Sequence, residues 1–332
     1  TTQVQNIGQT ANRGIELSLD GAIVNSKNFK LSGSFNIGVN KNKIEKLGSS
    51  SFKQSTSWTQ TNGPIDEYFI EEGGQVGMMY GYQTEGFYQI EDFDYNATTK
   101  TYTLKPGVSD NSALINDRRF GPGSLKLVNQ NPGEDNVVND QDRVIIGNAN
   151  AKHTGGFSFT AQLKGFDIST FFNWVYGNSV YNANRLGLTA SKDFKNVLGQ
   201  ISSDKRWMTI DQSTGLRVTD PVELAALNAN ATIWSAGIRS IPFHSWAVED
   251  GSFLRLNNLT IGYSLPRTRL LNRLGVSQLR VYATGDNLWI WTNYSGYDPE
   301  VDSKRSTPLT PSVDWAAYPR SRSYNFGLNV TF

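Results

Sequence analysis

The chain has 332 residues, a formal net charge of +1, no cysteine and two histidines. This charge gives no global field that argues for nucleic acid or an acidic partner; the lack of cysteine excludes a disulfide framework and thiolate metal sites, and two histidines provision the usual catalytic constellations poorly. Aromatic residues at 12%, with 31 glycines against 18% charged residues, suit a strand-rich protein with an aromatic belt.

No run of about eighteen apolar residues occurs, so no spanning helix is expected. Barrels need none, because their lipid-facing residues alternate with polar ones. The chain opens on Thr1-Thr2-Gln3 with neither an initiator methionine nor a signal peptide, which leads us to expect a portion of a longer secreted protein.

The first predicted strand covers residues 12–23, with Ile15, Leu17, Leu19 and Ile23 on one face and Glu16, Ser18, Asp20 and Ala22 on the other. Asn25-Ser26-Lys27-Asn28 makes a tight turn, and Phe29, Leu31, Gly33, Phe35, Ile37 and Val39 then line one face of a returning strand. A polar excursion follows over residues 41–152, within which residues 79–88 are predicted to form a small aromatic hairpin. So long a connection is unusual in a compact soluble domain, whereas outer-membrane barrels expect long loops on one side.

A second tight hairpin joins residues 157–163 to residues 166–176 through Lys164-Gly165. The excursion over residues 177–251 carries Trp207, Trp234 and Trp246. Strands are predicted over residues 253–264 and 278–289, joined by a basic connector, LPRTRLLNRLGVSQ, with room for one helical turn. A third long loop, residues 292–320, contains Tyr294, Tyr297, Trp315 and Tyr318. In the last strand Tyr324, Phe326, Leu328, Val330 and Phe332 alternate with Ser323, Asn325, Gly327, Asn329 and Thr331. Short and long connections thus alternate. That places the turns on one side of a sheet and the loops on the other, with aromatics such as Trp174, Tyr176, Phe253, Trp289 and Trp291 clustered near the loops as a girdle would be.

Three stretches carry a family likeness: GMMYGYQTEGFYQ (residues 77–89), DRVIIGNANAKHTGGFSFTAQLKGFDISTFFNWVYGNSVYNANR (142–185) and EDGSFLRLNNLTIGYSLPRTRLLNRLGVSQLRVYATGDNLWIW (249–291). With YSGYDP at residues 294–299 and the terminal Phe332, they resemble the C-terminal barrel of SusC/RagA-type TonB-dependent transporters across essentially the whole chain. The resemblance implies an all-β fold, a transmembrane antiparallel β-barrel of about twenty-two strands with long extracellular loops, of which residues 1–332 would supply the last seven or so. It further implies an outer-membrane nutrient importer of glycans or oligopeptides, working with a SusD-like surface lipoprotein as lid. TonB would act through the family's N-terminal plug part, which is outside this chain, and association of two transporter–lid pairs is left open. The terminal Phe332 would serve as a barrel-assembly signal.

One departure lies before Asp142. Family members often carry an acidic loop there that could hold calcium; here amides replace several carboxylates, leaving Glu134, Asp135, Asp140 and Asp142. An acidic solvated loop is the favoured reading, and no cofactor is expected. His153 and His244 have no metal-ligand spacing, Gly121 to Gly123 lacks the lysine and hydroxyl of a phosphate loop, and Arg267, Arg269 and Arg273 read as a solvated turn.

Sugar recognition uses flat aromatic faces beside amides and carboxylates. Trp207, Trp234, Trp246, Tyr294, Trp315 and Tyr318 are therefore the candidate substrate-binding residues, with Asn173 and Asn178 near a strand end as further candidates. Packing between the loops is the competing role for each. Two other functions stand against transport: a secreted carbohydrate-binding β-sandwich, which would bury the apolar faces in a core, and a glycosidase, which would need a carboxylate pair such as Asp286 and Glu300. Nothing in the sequence favours the enzyme.

Overall fold

Seven long strands pair in strict chain order into one antiparallel sheet. They are β1 (Gly8–Asn25), β2 (Phe29–Leu47), β3 (His153–Leu163), β4 (Phe166–Tyr176), β5 (Phe253–Ser264), β6 (Gln278–Thr292) and β7 (Ser323–Thr331). The structure is a computed structural model that describes residues 8–48, 51–55, 66–117, 119–132, 135–189, 196–201, 205–238, 240–303 and 308–332. Among these residues, the outer edges of β1 and β7 have no strand partner.

The alternation in each strand is turned into two continuous faces by the register. Leu19 pairs with Phe35, Phe35 with Phe157, Phe157 with Phe172, and on the far side Ile168 pairs with Ile261, Ile261 with Ala283 and Ala283 with Phe326. One face is therefore apolar from edge to edge, and it is exposed: Ile15 is 78% and Phe326 84% accessible. A water-facing band of this extent would be costly at ~25 cal/mol per Å² and marks a surface made for membrane or protein contact. A sandwich would bury that face, so its exposure overturns the β-sandwich alternative.

The opposite face is a ladder of polar cross-strand pairs. Ser34 and Ser158 hydroxyls lie 2.8 Å apart, Thr260 and Thr284 hydroxyls 2.9 Å apart, and Asn257 Nδ2 donates to Asn173 Oδ1 at 2.5 Å. Near the short-turn end, Arg280 on β6 reaches across β5 to Asp167 on β4, with Nε and Nη2 donating at 2.9 and 2.6 Å. Gly262 makes this crossing possible, because a Cβ there would lie 2.4 Å from the guanidinium. The predicted helical turn in the basic connector exists at Arg269–Arg273, capped by the Thr268 hydroxyl, which accepts from the Leu271 N–H.

The strands extend further than the apolar alternation indicates. β1 starts at Gly8 and β2 continues to Leu47, because residues whose side chains are polar still pair through their backbones, as in Arg13 with Lys41 and Thr10 with Ile44. Ile44 is buried, and its N–H and C=O are taken by Gly74 O (2.9 Å) and Gly73 N (2.8 Å), which fastens the first long connection to the strand.

The hydrophobic core lies outside the sheet. Its buried members, among them Tyr68, Met79, Leu125, Tyr181, Leu186, Trp234, Phe243 and Val313, all come from the three long connections, which fold together at one end of the strands. Residues 79–88 do not form a hairpin: Met78–Gly81 pairs with Val144–Asn148 and Asp66–Ile70, while Thr84–Phe87 pairs with Leu125–Leu127. The bend between them is occupied by another connection, since Tyr82 N–H donates to Phe243 O at 2.9 Å. Tyr181 and Asn182 run parallel to Val313 and Asp314, joining the second connection to the third.

Candidate functional site

The joined connections form a single loop body over the sheet's long-loop end, and the candidate aromatics divide within it. Trp207, Trp234 and Tyr294 are buried. Trp207 packs on Phe87 with ring centres 5.4 Å apart and lies over Gly123, where a Cβ would fall 2.0 Å from the indole and leave no room for a side chain. Trp234 meets His244 and Trp246 edge-on at 5.3 and 5.0 Å. The Tyr294 hydroxyl donates to Asp314 Oδ2 at 2.5 Å, and burial together with this acceptor raises its pKa far above the usual phenol value. Packing between the loops is thus the role these three rings have, because none presents a face to a ligand in this conformation.

Trp246, Trp315 and Tyr318 retain surface, and Tyr318 is 93% exposed. The Arg185 guanidinium sits 3.8 Å from the Trp246 ring centre and 3.4 Å from Glu249, which also accepts from Asn182 Nδ2 (2.8 Å) and the Ser295 hydroxyl (2.8 Å). Trp246 is therefore held flat by a cation on one side, a geometry that stabilises by roughly 0.5–2 kcal/mol and fixes the ring's orientation. The Trp315 N–H donates to Ser303 Oγ at 2.6 Å, which sets the chain direction into Tyr318.

The remaining candidates are accounted for by their neighbours. Asn173 accepts from Asn257 on the polar face of the wall, and Asn178 is buried. Asp286 accepts from Asn258 Nδ2 (2.6 Å) and the Ser323 hydroxyl (2.9 Å), whereas Glu300 is bound by Arg255 and Arg320, each at 3.2 Å. The supposed carboxylate pair is thus split between two separate networks. In the acidic loop, Glu134 lies outside the described residues; Asp140 meets Lys53 (2.5 Å) and Arg143 (3.2 Å), and Asp142 is buried, accepting from Gln130 and Asn139 N–H groups, both at 2.7 Å. Lys53 and Arg143 hold the Asp140 carboxyl below its ordinary pKa. Protein donors thus meet both carboxyl oxygens of Asp140 and of Asp142.

On the apolar face, Trp174 and Tyr176 lie near the loop body; Trp174 Nε1 donates to His153 Nδ1 at 3.0 Å, and His153 stacks on Tyr176 at 4.8 Å. Trp289 and Trp291 continue this aromatic row across β6, half exposed at 54% and 48%. Phe253 does not join it, since it points to the opposite face and is buried beneath Arg255.

Where the wall meets the loop body, a recess of 660 Å³ opens between β1, β2 and β3, lined by Glu16, Asn40, Asn42, Asn150 and Thr154. Asn42 donates to Asn150 at 2.6 Å, fixing the amides. Residues so far apart in the chain gave no local signal that they meet: Asn40 read as the polar face of a strand end, and Asn42 and Asn150 fell in the polar excursion over residues 41–152.

No family model matches the chain. The TonB-dependent receptor P3 of Formosa agariphila is 29% identical over 340 residues, covering 100% of this chain and 30% of that receptor. The TonB-dependent receptor SusC of Bacteroides thetaiotaomicron is 24% identical, covering 99% of this chain and 27% of SusC. Over essentially its whole length the chain resembles TonB-dependent receptors, SusC among them. In fold, it superposes along its full length on 30% of a chain in the RagAB peptide transporter, with a TM-score of 0.60 at 22% identity. The chain thus spans about 30% of the length of the curated relatives it matches, and its seven strands have the fold of part of a transmembrane β-barrel wall.

Proposed function

We propose that this receptor chain forms part of the wall and the extracellular rim of an outer-membrane nutrient importer, as the C-terminal portion of a longer protein. The observation that carries the reading is the pair of faces on one sheet: an apolar band from β1 to β7 for lipid, backed by a polar ladder for a wet lumen. In hydrocarbon no sheet edge can stay open, so the free edges of β1 and β7 are completed by other strands of the whole barrel. Import is energised through TonB, which engages a plug supplied by the rest of the protein. A SusD-like lipoprotein covers the loop body, where Trp246, Trp315 and Tyr318 keep accessible rings for substrate or lid. The substrate is an oligomeric nutrient, a glycan or an oligopeptide, and the transport involves no covalent step.

The test is fractionation of cells carrying the full-length protein, followed by affinity purification from detergent-extracted outer membrane. Recovery there with a co-purifying surface lipoprotein is the expected result. Recovery in the soluble fraction would overturn the barrel reading, and recovery from the outer membrane without a lipoprotein would remove the lid.

A further inference from the structure

Some cations in the loop body face carboxylates, and others, such as Lys105, Lys152 and Arg206, do not among the described residues. Lys53 and Arg143 meet Asp140, Lys126 meets Glu85 and Asp92, and Arg185 meets Glu249. A recess of 470 Å³ between the turn at residues 99–102, residues 119–122 and residues 209–224 gathers three of the unpaired ones. Lys100, Arg119 and Arg217 line it, and no carboxylate does. Among the described residues none of the three side chains has an ion-pair partner.

Nearby acidic groups are committed elsewhere. Asp220, beside the lining residue Thr219, accepts from the Val222 and Glu223 N–H groups at 2.9 and 3.2 Å as a helix cap. Arg119 also borders an adjoining recess of 270 Å³ with Arg206, where Asp117 accepts from the Ser124 hydroxyl and the Arg119 N–H, both at 3.0 Å. Cations lining one concavity focus a positive potential into it, and an oxyanion bound there would be held through charge-assisted hydrogen bonds.

The recess is also built to keep its shape. The Tyr102 hydroxyl donates to Thr219 O at 2.8 Å, tying the first connection to the second, and Phe93 packs edge-on against both Tyr102 and Phe120. Thr99, Thr101 and Thr209 add hydroxyls to the lining. Peptides offer a strand edge or apolar side chains, and acidic motifs among them are also taken by arginine clusters. Here the donors are side-chain hydroxyls and cations, which match ring hydroxyls and acidic substituents.

We propose that this recess is a binding subsite for an anionic oligosaccharide, with Lys100, Arg119 and Arg217 taking its carboxylate or sulfate groups. The assignment rests on the importer reading and names the substrate class for it. Its test is calorimetric titration of the full-length receptor, purified from outer membrane in detergent, with four probes: an oligouronate, a sulfated oligosaccharide, a neutral oligosaccharide of equal length and an oligoglutamate peptide. One or both charged saccharides should bind at least about tenfold tighter than the neutral one and weaken as salt is raised; which of them binds identifies the acidic group. The R119Q/R217Q variant should lose about tenfold per arginine, the scale of one charge-assisted hydrogen bond, whereas R119K/R217K keeps most of the affinity. Equal binding of neutral and charged saccharides, unchanged affinity in R119Q/R217Q, or tighter binding of the peptide would each overturn the proposal, and the first and last need no variant. Receptor that sits in the outer membrane and fails these tests removes the subsite alone, while receptor missing from that membrane removes the importer reading.

Discussion

His244 shows how far a residue's surroundings can depart from its local sequence. Between Phe243 and Ser245 it reads as an ordinary polar residue, yet its side chain is wholly buried and neither ring nitrogen has a hydrogen-bond partner among the described residues. Burial, and then the charge of Arg185, push its pKa down from 6.5 to about 3. The folded loop body therefore holds His244 neutral, while the unfolded chain takes up a proton as pH falls below 6.5. The stability due to neutral His244 is complete above that pH and is lost as pH falls towards 3, at on the order of 1.4 kcal/mol per unit. Limited proteolysis of the loop body in full-length receptor, compared at pH 7, 6 and 5, should show rising susceptibility, and His244→Phe should flatten the trend. An identical pH response in the variant would exclude His244 as its source. Trp246, two positions on, stacks on it at 6.5 Å, but the burial is completed by Trp234, ten positions away, and by Tyr82 in another connection, which no local pattern signals.

Among the elements, the third long connection is held to the wall by one buried cation. Arg255 on β5 donates Nη1 to Asn287 Oδ1 (2.5 Å) and Nη2 to Asp298 Oδ1 (2.7 Å), with Glu300 at 3.2 Å and Arg320 closing the network. Arg255 and Asp298 have side-chain exposures of 3% and 7%, so removing the arginine leaves a buried carboxylate short of its main partner. Arg255→Ala should destabilise the attachment of residues 293–322 by about 3–5 kcal/mol, read as faster protease cleavage within that connection. If cleavage there is unchanged, the network does not anchor the loop. The wall strands themselves were legible, because a period of two is a local property of side-chain order. Their ends were less so, since backbone pairing carries β1 and β2 through residues with no alternation. The face of Arg255 was not legible, because a bulge between Leu256 and Asn258 breaks the parity of its strand, and neither were its partners, 43 and 45 positions downstream.

At the scale of the whole molecule the two faces of the sheet predict opposite responses to the same change. Ile261→Lys puts a charge on the lipid band and should cost about 2–4 kcal/mol of folded barrel if the site lies near mid-membrane, whereas Thr160→Lys on the polar face should be tolerated. Heat-modifiable gel mobility of the full-length receptor measures the folded fraction, and equal losses for the two would contradict the assigned faces. Deletion of Phe332, 84% exposed at the end of the last strand, should reduce the amount assembled in the outer membrane; normal assembly would show that the aromatic terminus is dispensable. The loop body was the least legible part, because its core draws Tyr68, Tyr181 and Val313 from three connections that lack periodicity. That shared core also limits what engineering can separate. A chimaera that exchanges one connection for a relative's would meet a mismatched neighbour at the Tyr181–Val313 pairing, at the contact of Tyr82 with Phe243 and beneath Trp207. The three connections are therefore exchangeable only together, and only onto a wall that keeps the residues anchoring them, Ile44 for the first and Arg255 for the third.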